Sequence, residues 1–286
     1  MSGKSELSSC RKGRLPSSSL VDDTYTIYGR LVDKDTMIYM LNSREGQDDA
    51  LRVIPIVGAG GIGKTTLASM VFHEYKSSTR YFRLRNWLRG FENKSSNLNV
   101  FEVQGWACVS DDFGATCVIK SLLEYITGQE SKVGSSLELV QHELMEKLRG
   151  KKFFIVLDDF RSDRLHYWDV LKTCFSVGAL GSRVLITTRS KEVARIVTTT
   201  HDFIYELDEL SLDESWFLFE DIVFQDRDLC KNRVLTDIGL DIICRYKGLP
   251  LTIKKIGLLL LSKGNDEVEW RKVLNNKTWE EARESS

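Results

Sequence analysis

The stretch GAGGIGKTT at positions 58–66 packs four glycines, one lysine and two threonines into nine residues, directly after the apolar run Val53-Ile54-Pro55-Ile56-Val57. It fits G-x-x-x-x-G-K-[ST] without a mismatch, with Gly58, Gly63, Lys64 and Thr65 at the defined positions. Glycines let a backbone turn successive N–H groups inward as an anion nest. A helix starting beside Lys64 aims its positive end at the same spot. The chemistry is that of holding a phosphate. Gly58, Gly60, Gly61, Ile62 and Gly63 form the cradle, and Lys64 reaches β- and γ-phosphates. The Thr65 hydroxyl can ligate Mg2+, with Thr66 beside it.

Two further groups fit that chemistry. Asp158 and Asp159 end the apolar run Phe153–Leu157. In a nucleotide hydrolase built on such a loop, a carboxylate there holds Mg2+, usually through water. A second carboxylate alongside orients or activates the attacking water. Arg189 follows Thr187-Thr188, and at the tip of a parallel strand it faces the crevice where open α/β sheets bind ligands. A guanidinium there can sense a γ-phosphate and stabilise its charge. Lys64, Asp159 and Arg189 are therefore the candidate catalytic residues, and Thr65 and Asp158 the candidate metal ligands. His73, His142, His166 and His201 show no metal-ligand spacing, and Trp106, Trp168 and Trp216 read as core anchors.

These residues need an α/β frame. Strands are expected at Arg52–Val57, Gly105–Ser110, Phe153–Leu157 and Val184–Thr187, with a short fifth at Phe203–Glu206. Continuous apolar runs suit strands covered on both faces of a parallel sheet. Pro55 conflicts with a central strand, but the glycine-rich turn behind it outweighs that. Helices are expected from Lys64 to about Tyr75 and at about Ser135–Leu148, the latter with Leu137, Val140, Leu144 and Leu148 on one face. Strands alternating with helices predict a three-layer sandwich around a parallel sheet. After about Glu209 the pattern is all helix. Ser211 and Glu214 make a capping box. A helix carrying Leu235, Ile238 and Ile242 stops at Gly248, and Pro250 suits the first turn of the next. The expected division is a linker at 1–22, a nucleotide-binding domain at 23–208 and a helical unit at 209–286. From Thr26 the chain alternates apolar and polar residues. Residues 77–100 mix Arg80, Arg83, Arg85 and Arg89 with Tyr81, Phe82 and Trp87. That mixture could touch nucleic acid, but it reads better as a solvated insertion with a few anchoring aromatics.

Composition narrows the partners. The chain has 286 residues and a net charge of −1, so no global basic field draws it to nucleic acid or an acidic membrane. Its six cysteines include no C-x-x-C pair, which argues against a disulfide framework and for a reducing compartment. The apolar run Ile256–Leu261 is too short to span a bilayer.

The ordered set IYGR (27–30), GAGGIGKTT (58–66), FEVQGWACVSDDF (101–113), KKFFIVLDDF (151–160), GSRVLITTRS (181–190) and KGLPL (247–251) is more specific than any member. It closely resembles the NB-ARC domain of plant intracellular immune receptors, the nucleotide-binding leucine-rich-repeat class. Trp106–Ser110 and SLVDDTYTIYGR (19–30) look like its coiled-coil branch. The resemblance implies a P-loop NTPase fold followed by a helical ARC subdomain. It implies a cytoplasmic defence-signalling switch, closed with ADP and oligomer-forming with ATP and Mg2+, and reset by slow hydrolysis. Ile27, Tyr28, Gly29 and Arg30 would wrap the base from one side, and Leu249 and Pro250 would lie against it from the other. The strand carrying Arg189 would lie between the loop strand and the Asp158 strand. Two other readings stand beside it: a stand-alone P-loop ATPase or kinase, and a receptor fragment that binds nucleotide weakly. The family pattern Asp-Asp-Val-Trp is here Asp158-Asp159-Phe160-Arg161, and the insertion at 77–100 has no counterpart. Winged-helix, leucine-rich-repeat and coiled-coil partners are missing between Met1 and Ser286, so the sequence reads as a fragment of a receptor.

Overall fold

Continuous apolar strands need cover on both faces, and the computed structural model supplies it. It describes residues 29–43, 51–89, 101–109, 114–130, 136–200, 203–224, 232–246 and 248–275. In chain order these form α1 (Leu31–Asn42), β1 (Leu51–Val57), α2 (Lys64–Arg89), β2 (Val103–Cys108), α3 (Gly114–Thr127), α4 (Leu137–Leu148), β3 (Phe153–Asp158), α5 (Leu165–Phe175), β4 (Ser182–Thr188), α6 (Lys191–Val197) and β5 (Tyr205–Glu206). Four more helices follow: α7 (Leu212–Val223), α8 (Arg233–Tyr246), α9 (Pro250–Lys263) and α10 (Glu267–Leu274).

The sheet is parallel throughout, in the order β2-β3-β4-β1-β5. Alternate residues of each strand enter opposite cores, as period-2 geometry requires. Val53, Ile155, Leu157, Val184 and Ile186 pack with α3, α4, α5 and α6 on one face. Ile54, Ile56, Phe154, Val156 and Leu185 pack with α1 and α2 on the other. The three-layer sandwich follows from that alternation. Helices α7 to α10 close around a third core that includes Leu218, Phe219, Ile242, Ile256 and Trp270.

Pro55 is accommodated by the shortness of β5. The β1–β4 ladder runs from Leu51↔Ser182 to Val57↔Thr188, whereas β5 pairs only with Ile56 and Val57. Gly58 N–H donates to Thr188 O, so strand alternation turns the missing Pro55 donor to the β5 side, ahead of the ladder's start.

Two regions differ from expectation. The alternating segment after Thr26 contains a helix, α1, of which Met37 and Leu41 are buried. Tertiary contacts hold it. Arg52 Nη1 donates to Met40 O at 3.2 Å and Ser43 O at 2.9 Å, and Arg183 Nε donates to Leu41 O at 3.0 Å. Two buried guanidinium groups thus satisfy carbonyls that a helix C-terminus leaves orphaned. Helix α2, expected to end near Tyr75, runs on to Arg89. No glycine or proline stands between Gly63 and Gly90 to stop it. Residues 77–89, the first part of the expected insertion, therefore continue α2 as helix. Residues 90–100, the linker at 1–22, and Ile27 and Tyr28 lie outside the described residues.

Candidate functional site

The loop between β1 and α2 is held from three directions. From within, Gly61 and Gly63 have φ of 75° and 106°, a region that side-chain-bearing residues rarely adopt. Ile62, 3% exposed, plugs the loop into the core it shares with Leu207 and Leu249. On the α1 side, buried Arg30 donates through Nη2 to Ile62 O at 2.9 Å and through Nη1 to Asp33 at 3.2 Å. The Tyr205 hydroxyl donates to the other Asp33 oxygen. Burial, then that bond, push the Tyr205 hydroxyl well above its ordinary pKa. The third hold comes from α9, where Leu251 N–H donates to Gly61 O at 3.2 Å.

Lys64 opens α2 at the loop's end. Its Nζ donates to Gly58 O and Ala59 O, each at 2.8 Å, and the residue is 8% exposed. Burial, then the Arg189 guanidinium, push its ammonium down to about 8, while Asp159 and Asp158 pull the other way. A phosphate would counter the Arg189 repulsion by adding negative charge where positive charge is crowded. Arg189 is exposed just beyond β4 and acts on Lys64 through space. Thr66 is half-buried in the first turn of α2, and Gly60 is buried in the loop.

Asp158, 4% exposed, receives two hydroxyl hydrogen bonds on one oxygen: Thr65 Oγ1 at 2.8 Å and Thr187 Oγ1 at 2.5 Å. Burial pushes the Asp158 carboxyl up, against the pull of the Thr187 and Thr65 bonds. Thr187 also accepts the Asp159 N–H at 2.8 Å. This threonine bridges β3 and β4 at the site, and the sequence reading did not single it out. Its signal was modest: a polar residue at the end of an apolar strand.

The donors near Thr65 and Asp158 are a hydroxyl and a carboxylate, hard oxygens of the kind Mg2+ takes. Among the described residues no group of three or more His, Cys, Asp and Glu could cage a metal. Mg2+ commonly uses one or two protein oxygens and completes its shell with phosphates and water.

The base-side candidates gather nearby. Gly29 lies against the Leu210 and Glu214 side chains. Leu249 is buried with Ile62, and Pro250 opens α9. Leu210 N–H donates to Gly248 O at 2.9 Å and Gly248 N–H to Ser215 Oγ at 3.2 Å, which ties α7 to the start of α9. The Ser211–Glu214 capping box is formed in both directions. Arg30 braces the loop through Ile62 O. A separate cavity of about 610 Å3, lined by residues such as Glu102, Ile126 and Lys151, lies at the N-terminal ends of β2 and β3, away from the loop. No helix among the described residues is long and apolar enough to cross a membrane.

Known proteins place this geometry. The fold resembles the Aeropyrum pernix ORC2 protein in its ADP form, with a TM-score of 0.56 at 16% identity over 90% of this chain and 72% of that one. It also resembles Drosophila ORC bound to DNA, with a TM-score of 0.54 at 10% identity over 90% and 63%. The architecture is the α/β P-loop NTPase fold. Disease resistance protein RGA2 of Solanum bulbocastanum is 34% identical over 88% of this chain and 24% of its own length. Disease resistance protein RPM1 of Arabidopsis thaliana is 29% identical over 92% of this chain and 26% of its own. The chain thus spans about a quarter of each relative. The NB-ARC domain model matches residues 33–229. The chain belongs to the NB-ARC family and is similar over most of its length to plant disease resistance proteins.

Proposed function

We propose that the chain is the ADP/ATP-binding switch module of a plant intracellular immune receptor, acting in cytoplasmic defence signalling, with slow Mg2+-dependent ATP hydrolysis as its reset. Residues 23–208 form its nucleotide-binding domain and 209–286 its helical ARC subdomain. The coiled-coil, winged-helix and leucine-rich-repeat partners, and assembly into an oligomer with ATP, belong to the whole receptor.

One observation carries the reading: the Leu251 N–H bond to Gly61 O joins the helical part to the phosphate loop itself. A change in what the loop holds therefore acts directly on α9. The loop N–H groups and Lys64 hold the β- and γ-phosphates. Thr65 and Asp158 hold Mg2+, which when bound neutralises phosphate charge. Asp159 orients water, and Arg189 stabilises charge on the terminal phosphate. Ile27, Tyr28, Gly29, Arg30, Leu249 and Pro250 enclose the base. ATP and ADP differ in their contacts to Lys64 and Arg189, and that difference biases two arrangements of α9 against the sheet.

The test is mass spectrometry of nucleotide released from the purified, denatured chain, followed by turnover assays. ADP retained in near-stoichiometric amount, lost in Lys64→Ala, supports the switch. Asp159→Ala keeps ATP binding and suppresses hydrolysis. Rapid multiple turnovers with a soluble acceptor point instead to a kinase. A Lys64→Ala variant that binds ADP like the parent protein overturns the site.

A further inference from the structure

Arg161 stands just beyond the paired carboxylates and takes no part in the phosphate chemistry described above. Its guanidinium reaches back to one oxygen of Asp159, with Nε at 3.3 Å and Nη2 at 3.1 Å from Oδ2. The backbone brings the two together. Asp159 has φ of 54°, the one non-glycine residue at positive φ among the described residues. Such strain persists only where surroundings over-determine it. Here they do: Asp159 N–H donates to Thr187 Oγ1, Phe160 N–H donates to Thr187 O, and the Phe160 ring is fully buried. With the turn pinned on both sides, only the Asp159 side chain is free to choose a direction, and Arg161 follows on the exposed arm of the turn.

The pairing alters the charge at the mouth of the site. Asp159 acts electrostatically on both Lys64 and Asp158. Left unpaired, it presents a second negative charge to an incoming triphosphate and a free carboxylate to water. Paired, its charge is partly offset and one oxygen is occupied.

We propose that Arg161 is a positioning residue that holds the Asp159 carboxylate and partly offsets its charge, so that the site retains ATP and hydrolyses it slowly. The inference rests on the reading of this site as an ATP site with Asp159 facing the attacking water. The Arg161 side chain is 54% exposed and that of Asp159 26% exposed, so the effect is that of a partly solvated ion pair. Such pairs shift equilibria by roughly two- to five-fold.

The experiment measures equilibrium affinities for ATP and ADP with Mg2+, alongside single-turnover hydrolysis, in the intact chain. Arg161→Gln lowers the ATP-to-ADP affinity ratio by about two- to five-fold and speeds hydrolysis. Arg161→Lys keeps the charge and recovers part of the ratio. Asp159→Asn raises the ratio, because it leaves Arg161 facing the triphosphate unopposed. In the Asp159→Asn background, Arg161→Gln no longer speeds hydrolysis, because the group it acts through is gone. A protein that binds neither nucleotide overturns the site reading itself. A protein that binds both, with a ratio indifferent to Arg161→Gln, overturns this inference alone. So does a gain in hydrolysis that persists without the Asp159 carboxylate. If Arg161→Gln fails to fold, Asp159→Asn decides alone: a ratio that stays level or falls overturns the proposal.

Discussion

Leu251 and Gly61 meet backbone to backbone: the Leu251 N–H donates to Gly61 O at 3.2 Å, and a Cβ added to Gly61 would lie 2.8 Å from Leu251 Cβ. One residue belongs to the phosphate loop and the other to the first turn of α9. The loop and the helical part are therefore docked with no side chain between them at this point.

Gly61→Ala tests that docking. The substitution meets both a positive φ and the Leu251 side chain, and the backbone strain alone costs about 1–2 kcal/mol. We expect a lower melting temperature and faster proteolysis near α9, with the sheet's hydrogen-exchange protection retained. An unchanged melting temperature would show that the contact yields without cost.

Lys64→Ala separates binding from stability. Burial already depresses this ammonium, and among the described residues its bonds go to the Gly58 and Ala59 carbonyls of its own loop. Removing a buried charge that lacks a close counter-ion costs little. Nucleotide binding should be lost in calorimetry while the melting temperature without nucleotide stays level or rises. A clear fall would assign Lys64 a structural role instead.

Thr187→Val removes the hydroxyl that joins the strand tips. Asp158 loses a donor and the Asp159 N–H loses its acceptor. Leaving buried polar groups unpaired costs about 1–3 kcal/mol each. We expect destabilisation on that scale in denaturant melts, and a weaker dependence of nucleotide affinity on Mg2+. Thr187→Ser keeps the hydroxyl and should restore most of both.

Cys174 supplies a prediction in pH. Burial pushes its thiol up to about 11, partly offset by a bond with Gln141. Raising the folded-state value means that the folded protein keeps the neutral thiol while an unfolded chain would already ionise. Iodoacetamide at pH 8 to 9 should label exposed Cys244 and spare Cys174, with Cys174 reacting on unfolding. Labelling of Cys174 in the folded protein at that pH, read by peptide mapping, would contradict its burial.

The parts of the site legible in the sequence are those whose signal is local. The GAGGIGKTT loop, the run ending in Asp158-Asp159 and the Ser211–Glu214 capping box each depend on residues a few places apart. Near neighbours in the chain must be near neighbours in space, so spacing alone carries the geometry. The placement of the Arg189 strand beside the Asp158 strand came from family resemblance, because periodicity does not record sheet order.

Tertiary structure decided the rest, and for one physical reason: the energies involved come from partners far along the chain. Helix α1 forms where the local pattern is indistinct because Arg52 and Arg183 receive its last carbonyls. Thr187 became a site residue only when β4 paired with β3 and brought its hydroxyl to Asp158. Even the short-range Asp159–Arg161 pair waits on a strained turn that Thr187 and Phe160 enforce. The sequence by itself determined that a phosphate loop and two carboxylates exist on an α/β frame. Only folding decided which neighbours hold each of them, since a hydrogen bond between distant residues leaves no period in the chain for a reader to find.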